Sequence, residues 1–345
     1  MLQTDHRAIL TSSPTSGHAA LNEIRALVPG ARLLRWLEPG VGLLEFEIDW
    51  NTLAVRLREQ LPVFCRHICP IQAHVPLRQI ATDLDALAQA SRQFIPLLDV
   101  THPFSVQTRL FDEGWPYARY DVNERLSQML IEHGLALDVR CPEQVFSVVL
   151  TPGEGYLGVS RAVDNLSDWA GGVRRFRWEP EQISRAEFKL LEALEVFKLH
   201  LPAGGVALDL GAAPGGWTRI ARQHGLRVIA VDPGDLDQRI AADPLVRHIR
   251  QTAQSYLPKT TVQFDIILND MRMDARDSAQ IMLAALDHLR ADGWALLTLK
   301  LPERKAEVVA AAALALLRAD CHVIGARQLF HNRSEITVAL KAGFQ

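Results

Sequence analysis

The sequence predicts an α/β protein whose C-terminal half is a doubly wound, mostly parallel sheet, preceded by mixed α+β layers. Three observations carry this. Residues 206–217, Val-Ala-Leu-Asp-Leu-Gly-Ala-Ala-Pro-Gly-Gly-Trp, run from an apolar strand through a glycine turn, and Trp217-Thr218-Arg219-Ile220 opens a helical pattern. Folds of this class build nucleotide pockets that way, because glycine lets the backbone approach a ligand closely. A second apolar run, 227–231, ends in Asp232, 21 residues after Gly211, where a carboxylate commonly holds ribose hydroxyls. From Glu181 onward, strand-like and helix-like segments alternate, the pattern of a parallel sheet wrapped by helices.

Taken in order, residues 1–78 read as strand, helix, then strands: 7–10 short and apolar, 17–27 helical in period, 41–48 weakly alternating. Residues 79–165 form a second unit. Within it 84–95 is helical, and 104–111 alternates with Phe104, Val106, Thr108 and Leu110 on one face. Residues 120–133 read as a helix, with Asp121 as N-cap and Gly134 as its stop. Residues 145–150 and 156–159, split by Thr151-Pro152-Gly153-Glu154-Gly155, predict a hairpin. A linker over 166–180 follows. The last unit, 181–345, reads as helix 184–199, strand 206–210, helix 217–224, strand 227–231, strand 264–269, helix 278–290, strand 294–300 and helix 303–319. Strands 321–329 and 335–341 close it as an antiparallel pair at one edge.

Composition narrows the function classes. At 345 residues, two or three domains are expected. Apolar and charged contents of 48% and 22% are those of a globular protein. No run of 18 apolar residues occurs, and Met1-Leu2-Gln3-Thr4-Asp5-His6 has no signal pattern, so a cytoplasmic protein without membrane contact is expected. Cys65, Cys69, Cys141 and Cys321 make no disulfide framework. Cys65, His67 and Cys69 share a strand face but match no common zinc spacing, so no metal is expected. The net charge of −3 excludes a uniformly basic nucleic-acid binder and leaves any such contact to local patches. One candidate is Arg174-Arg175-Phe176-Arg177-Trp178, where guanidinium groups alternate with rings that can stack on unpaired bases. The plain alternative for Arg174, Arg175 and Arg177 is a solvated linker.

The glycine turn admits several ligands. A dinucleotide site favours G-x-G-x-x-G, but this chain places Ala212, Ala213 and Pro214 before Gly215 and Gly216. Crowding there, with the acidic Asp209 on the strand, suits S-adenosylmethionine, which lacks a pyrophosphate and carries an amino group and a sulfonium. A nicotinamide or flavin cofactor, or a turn that only packs helix on strand, are the alternatives. Ligands in open α/β sheets sit at strand carboxyl ends, and those ends here carry Asp209, Asp232, Asp270 and Lys300. A carboxylate and a lysine ending neighbouring strands form a device for removing a proton. To act as a base, a lysine must fall from a pKa of about 10.4 to roughly 7–8. Lys189 offers a second cation and Glu335 an orienting carboxylate. Only six residues are lysine, none before Lys189, as expected if lysine is kept where arginine cannot lose a proton. Singly, Asp270 reads equally well as a loop cap and Lys300 as a solvated strand end.

With these residues in view, the C-terminal half resembles the FtsJ-type ribose 2′-O-methyltransferases. Ser184-Arg185-Ala186-Glu187-Phe188-Lys189-Leu190 is similar to their S-R-A-x-x-K-L, and residues 209–217 to their D-L-G-A-x-P-G-G-W. Leu299-Lys300-Leu301-Pro302, and Ala326-Arg327-Gln328-Leu329-Phe330-His331 with Arg333 and Glu335, resemble more narrowly the 23S ribosomal RNA cytidine 2′-O-methyltransferases. The resemblance implies a Rossmann-like class I methyltransferase domain preceded by ferredoxin-like and THUMP-like units. The THUMP likeness rests on Val139-Arg140-Cys141-Pro142-Glu143 and Tyr156-Leu157-Gly158-Val159. It implies a catalytic tetrad of Lys189, Asp270, Lys300 and Glu335, and S-adenosylmethionine held by Ser184, Asp209, Gly211, Ala213, Pro214, Gly215, Gly216, Trp217, Asp232, Thr252 and Asp270. It also implies an RNA partner, 23S ribosomal RNA, while no protein partner follows. Where the family often places an acid near the adenine, this chain has Gln251-Thr252. Two rivals remain: an RNA-binding assembly factor that keeps the fold without turnover, and a methyltransferase acting on protein or a small molecule.

Overall fold

The computed structural model describes residues 6–343. Residues 1–5, most of the N-terminal stretch read for a leader, lie outside that range. The chain divides into two compact units, Met1–Val173 and Arg174–Gln345.

The first unit opens with β1 (Arg7–Thr11), α1 (Gly17–Leu27), β2 (Arg32–Glu38), β3 (Val41–Glu45), α2 (Trp50–Glu59) and β4 (His67–Pro70). The strands form an antiparallel sheet in the order β2-β3-β1-β4, the ferredoxin-like arrangement of two split βαβ halves. Residues 50–59, expected to be strand, are helix. Buried Trp50, Leu53, Ala54 and Leu57 follow a helical period, and Asp49 caps the helix by accepting from the Thr52 N–H at 2.9 Å.

A second sheet, in the order β5-β8-β7-β6, comprises β5 (Ala73–Pro76), β6 (Phe104–Leu110), β7 (Gln144–Thr151) and β8 (Glu154–Arg161). Helices α3 (Asp83–Ser91) and α4 (Arg119–Ile131) accompany it. The expected hairpin is β7–β8. The expected helix 84–95 ends early, passing into a 3₁₀ segment that contains Pro96. Asp121 is not the N-cap of α4; that place belongs to Ala118, whose N–H donates to Asp121 Oδ2 at 2.6 Å. Every residue of β7 is buried. Phe146, Val148 and Leu150 pack into the core with Leu126 and Met129 of α4, while Val149 points the other way against Ile9, Leu43 and Cys69 of the first sheet.

The second unit contains α5 (Ala186–Val196), β9 (Val206–Leu210), α6 (Gly216–Gln223), β10 (Arg227–Val231), α7 (Gln238–Ala241), β11 (Val246–Ile249), α8 (Ala253–Tyr256), β12 (Phe264–Asn269), α9 (Ala275–Leu286), β13 (Leu289–Lys300), α10 (Ala306–Asp320), β14 (His322–Arg327) and β15 (Glu335–Lys341). Its seven strands lie in the order β11-β10-β9-β12-β13-β15-β14. β11, β10, β9, β12 and β13 pair in parallel, and β15 runs antiparallel to both β13 and β14. The fold class is thus α/β with a mostly parallel sheet and antiparallel pairing at one edge. The helix expected over 278–290 starts and ends earlier, because Asp274 caps it by accepting from the Arg276 N–H and β13 already begins at Leu289. The strand order reverses beside β9, the place where such sheets open a crevice.

Candidate active site

Four strand ends and one strand start meet at this crevice. β9, β10, β12 and β13 bring Asp209, Asp232, Asp270 and Lys300 to their carboxyl ends. Because β15 is reversed, its first residue, Glu335, arrives at the same edge as the register partner of Lys300. Lys189 comes from α5. These four catalytic candidates close into a ring of alternating charge. Lys189 Nζ lies 3.3 Å from Asp270 Oδ2 and 2.5 Å from Glu335 Oε1. Lys300 Nζ lies 2.5 Å from Asp270 Oδ1 and 3.4 Å from Glu335 Oε2. Their side chains are 10–21% exposed.

Burial works against charge in such a place, and the ring offsets it. Asp270 is largely withdrawn from water, yet Lys300 and Lys189 outweigh that and hold its carboxyl below the ordinary range. Lys189 is likewise desolvated, but the carboxylates of Asp270 and Glu335 hold its ammonium above its usual value. Thr298, not singled out from the sequence, completes the geometry: its hydroxyl donates to Asp270 Oδ1 at 2.6 Å and accepts from Lys300 Nζ at 2.9 Å. The signal was available, because Thr298 lies two residues before Lys300 and so on the same strand face.

A cavity of about 1330 Å³ opens beside the ring and is lined by Ser184, Asp209, Gly211, Ala213, Pro214, Gly216, Trp217, Asp232, Thr252 and Asp270, all expected at the donor site. Gly215 does not line it. Its φ of +114° makes the left-handed N-cap of α6, and a Cβ there would meet Ile240 at 3.1 Å, not the cavity. At Gly216, by contrast, a Cβ would crowd Ser184 Oγ at 2.4 Å. Asp209 is buried and accepts from the Thr218 hydroxyl at 2.6 Å; burial pushes its pKa up to about 7 despite that bond. Asp232 accepts from the N–H groups of Ala213 and Gly234 at 3.1 and 2.7 Å, tying the glycine turn to β10. Thr252 caps α8, accepting from the Ser255 N–H.

The linker arginines are placed differently from one another. Arg174 makes two 2.7 Å bonds to Glu195 and lies over the Phe176 ring at 4.1 Å, whereas Arg175 and Arg177 are exposed. Arg185, Arg272 and Arg333, exposed and absent from the RNA candidates read in the sequence, line the cavity itself.

This geometry has named relatives. The FtsJ-like methyltransferase model matches residues 182–330. The ribosomal RNA large subunit methyltransferase M of Stenotrophomonas maltophilia is 32% identical, over 83% of this chain and 82% of that protein. The protein of the same name from Alkalilimnicola ehrlichii is 29% identical, over 96% of this chain and 93% of its own length. The chain belongs to this methyltransferase family. The ring of Lys189, Asp270, Lys300 and Glu335 therefore sits in a methyltransferase domain, and the match to the Alkalilimnicola ehrlichii protein takes in 96% of this chain, the first unit included.

Proposed function

We propose that the chain methylates the ribose 2′-oxygen of large-subunit ribosomal RNA, a cytidine of the 23S molecule, with S-adenosylmethionine as donor. The observation that carries this is the closed ring of Lys189, Asp270, Lys300 and Glu335 beside a cavity too large for a donor alone, since drug-sized sites occupy roughly 300–1,000 Å³.

The residues present fit the donor. Asp209 and Asp232 put two carboxyl groups on the glycine-turn side, which suits an ammonium and ribose hydroxyls better than a pyrophosphate. Ser184 Oγ is buried beside the turn without a hydrogen-bond partner among the described residues, ready for a polar group of the ligand. When bound, S-adenosylmethionine supplies an electrophilic methyl group on a positively charged sulfur. The chain's own part is to place and deprotonate the hydroxyl. Lys300 Nζ, in its neutral amine form after losing a proton to solvent, accepts the 2′ proton. Asp270 and Thr298 fix that nitrogen from one side and Glu335 from the other, and Lys189 bridges the two carboxylates. Orientation of this kind supplies a large share of a methyl transfer's rate. Arg185, Arg272 and Arg333, which line the cavity, meet incoming RNA phosphates, and Arg174, Arg175 and Arg177 and the THUMP-like part of the first unit each offer a separate RNA contact.

The decisive experiment maps 2′-O-methylation on total RNA from cells with and without the gene. Loss of one 23S ribose methyl group is expected, and an unchanged map overturns the reading. A binding factor without turnover is disfavoured, because such a protein has no use for a complete four-residue ring.

A further inference from the structure

We infer that Glu192 is a positioning residue for this reaction, holding the turn between β14 and β15 against α5 so that Glu335 meets both lysines. Glu192 lies three residues after Lys189 and is only 3% exposed. Residues three apart on a helix share a face, so the catalytic lysine and this carboxylate project toward the same neighbour. Glu192 Oε1 accepts from the Phe330 N–H at 2.8 Å, and Oε2 accepts from the His331 N–H at 2.9 Å. Asn332 Oδ1 accepts from the Leu329 N–H at 2.8 Å and from the Thr337 hydroxyl at 3.1 Å. Three successive backbone donors of the turn are thus held by side chains.

A buried carboxylate is costly unless its lone pairs are satisfied, and core packing alone would be met by an apolar residue. Here one oxygen goes to each of two consecutive N–H groups, in charge-assisted bonds that fix position as well as distance. The consequence lies three residues on. Lys189, one helical turn before Glu192, contacts Glu335 Oε1 at 2.5 Å. Helix α5 therefore holds the β14–β15 turn and the start of β15 at two levels: at Glu192, whose carboxylate takes two backbone N–H groups, and at Lys189, whose amine meets a side-chain carboxylate. Ring geometry depends on both, because β15 pairing with β13 fixes Glu335 relative to Lys300 but not relative to α5. The same turn presents His331 to the cavity, its ring 5.1 Å from that of Phe188, the neighbour of Lys189.

The inference rests on the proposed methyl transfer, and its test separates the two. Glu192→Ala and Glu192→Gln are made in the full chain and in a Glu335→Ala background, and kcat, KM for S-adenosylmethionine and the melting curve are measured on ribosomal RNA. Glu192→Ala is expected to lower kcat by about 30-fold or more with KM for the donor within about twofold, as for a lost transition-state alignment. Glu192→Gln, which keeps the size and one acceptor oxygen, should recover part of the loss. In the Glu335→Ala background the further loss should shrink to less than about threefold, because two residues acting through one another are not additive. An equal fold-loss in both backgrounds, or an unaltered kcat in Glu192→Ala, overturns the positioning role. A parent chain that methylates no RNA overturns the proposed function instead, and the role falls with it.

Discussion

Lys300 and Glu335 stand opposite one another as register partners across the β13–β15 pair, with Nζ and Oε2 3.4 Å apart. Two strands of opposite direction thereby deliver an amine and a carboxylate to one edge of the sheet, where Asp270 and Lys189 complete the ring.

Replacing Lys300 by Ala is expected to abolish methyl transfer while leaving donor affinity nearly intact, since Lys300 touches Asp270 and Thr298, not the glycine turn. Lys300→Arg should be equally inactive, because guanidinium does not give up its proton at working pH. Single-turnover transfer by either purified variant within about tenfold of the parent would remove Lys300 from the role of base.

Asp232→Ala should weaken S-adenosylmethionine binding by roughly 1.5–3 kcal/mol, the usual cost of a hydrogen bond to a charged group. The variant also frees the N–H groups of Ala213 and Gly234, so calorimetry should show a less favourable enthalpy as well. Gly216→Val should do worse by driving a side chain into Ser184. Unchanged affinity in both would leave the turn a purely structural device.

Asp209 gives a pH dependence with a definite sign. Its carboxyl is raised by burial to about 7, above the unfolded value of about 3.9, so the native state loses stability as pH rises between these values and the loss levels off above 7. Asp209→Asn should flatten that part of the stability curve. A cationic donor favours the ionised form, so binding near pH 7 should release protons. Calorimetry in two buffers of different ionisation heat would read this directly, and equal heats would contradict it.

RNA binding should depend on salt through few groups. Replacing Arg185, Arg272 and Arg333 by Ala should reduce the slope of log affinity against log salt by about 2, at roughly 0.7 per phosphate on single strands. Replacing Arg174, Arg175 and Arg177 should reduce it less, because Arg174 is already held by Glu195. The order of the two effects is the measurement, and the reverse order would move the RNA track to the linker.

Much of the second unit was legible because its signals are local. The glycine turn, the apolar strands and the charged residues at their ends are contiguous in sequence, and the spacing of strand ends indicated which would share an edge. What escaped had other causes. Strand β11, Val-Arg-His-Ile at the sheet edge, is too short and too polar for a period to show. The role of Thr298 exists only once Asp270 is folded against it. Arg174 read as a free cation because Glu195, 21 residues away, is no neighbour in sequence. In the first unit, helix α2 did carry a readable period at Trp50, Leu53, Ala54 and Leu57, which the exposed apolar Val55 on its other face obscured.

The reversed strand β15 also dictates an order of events during synthesis. It leaves the ribosome after both β13 and β14, yet it must slot between them. Until it does, β14 has no partner in the sheet and the lysines and Asp270 face one another without their fourth member. A nascent chain that has folded only the glycine turn and the parallel strands therefore has no closed ring. The turn is in place before the ring is, and the insertion of β15 closes it.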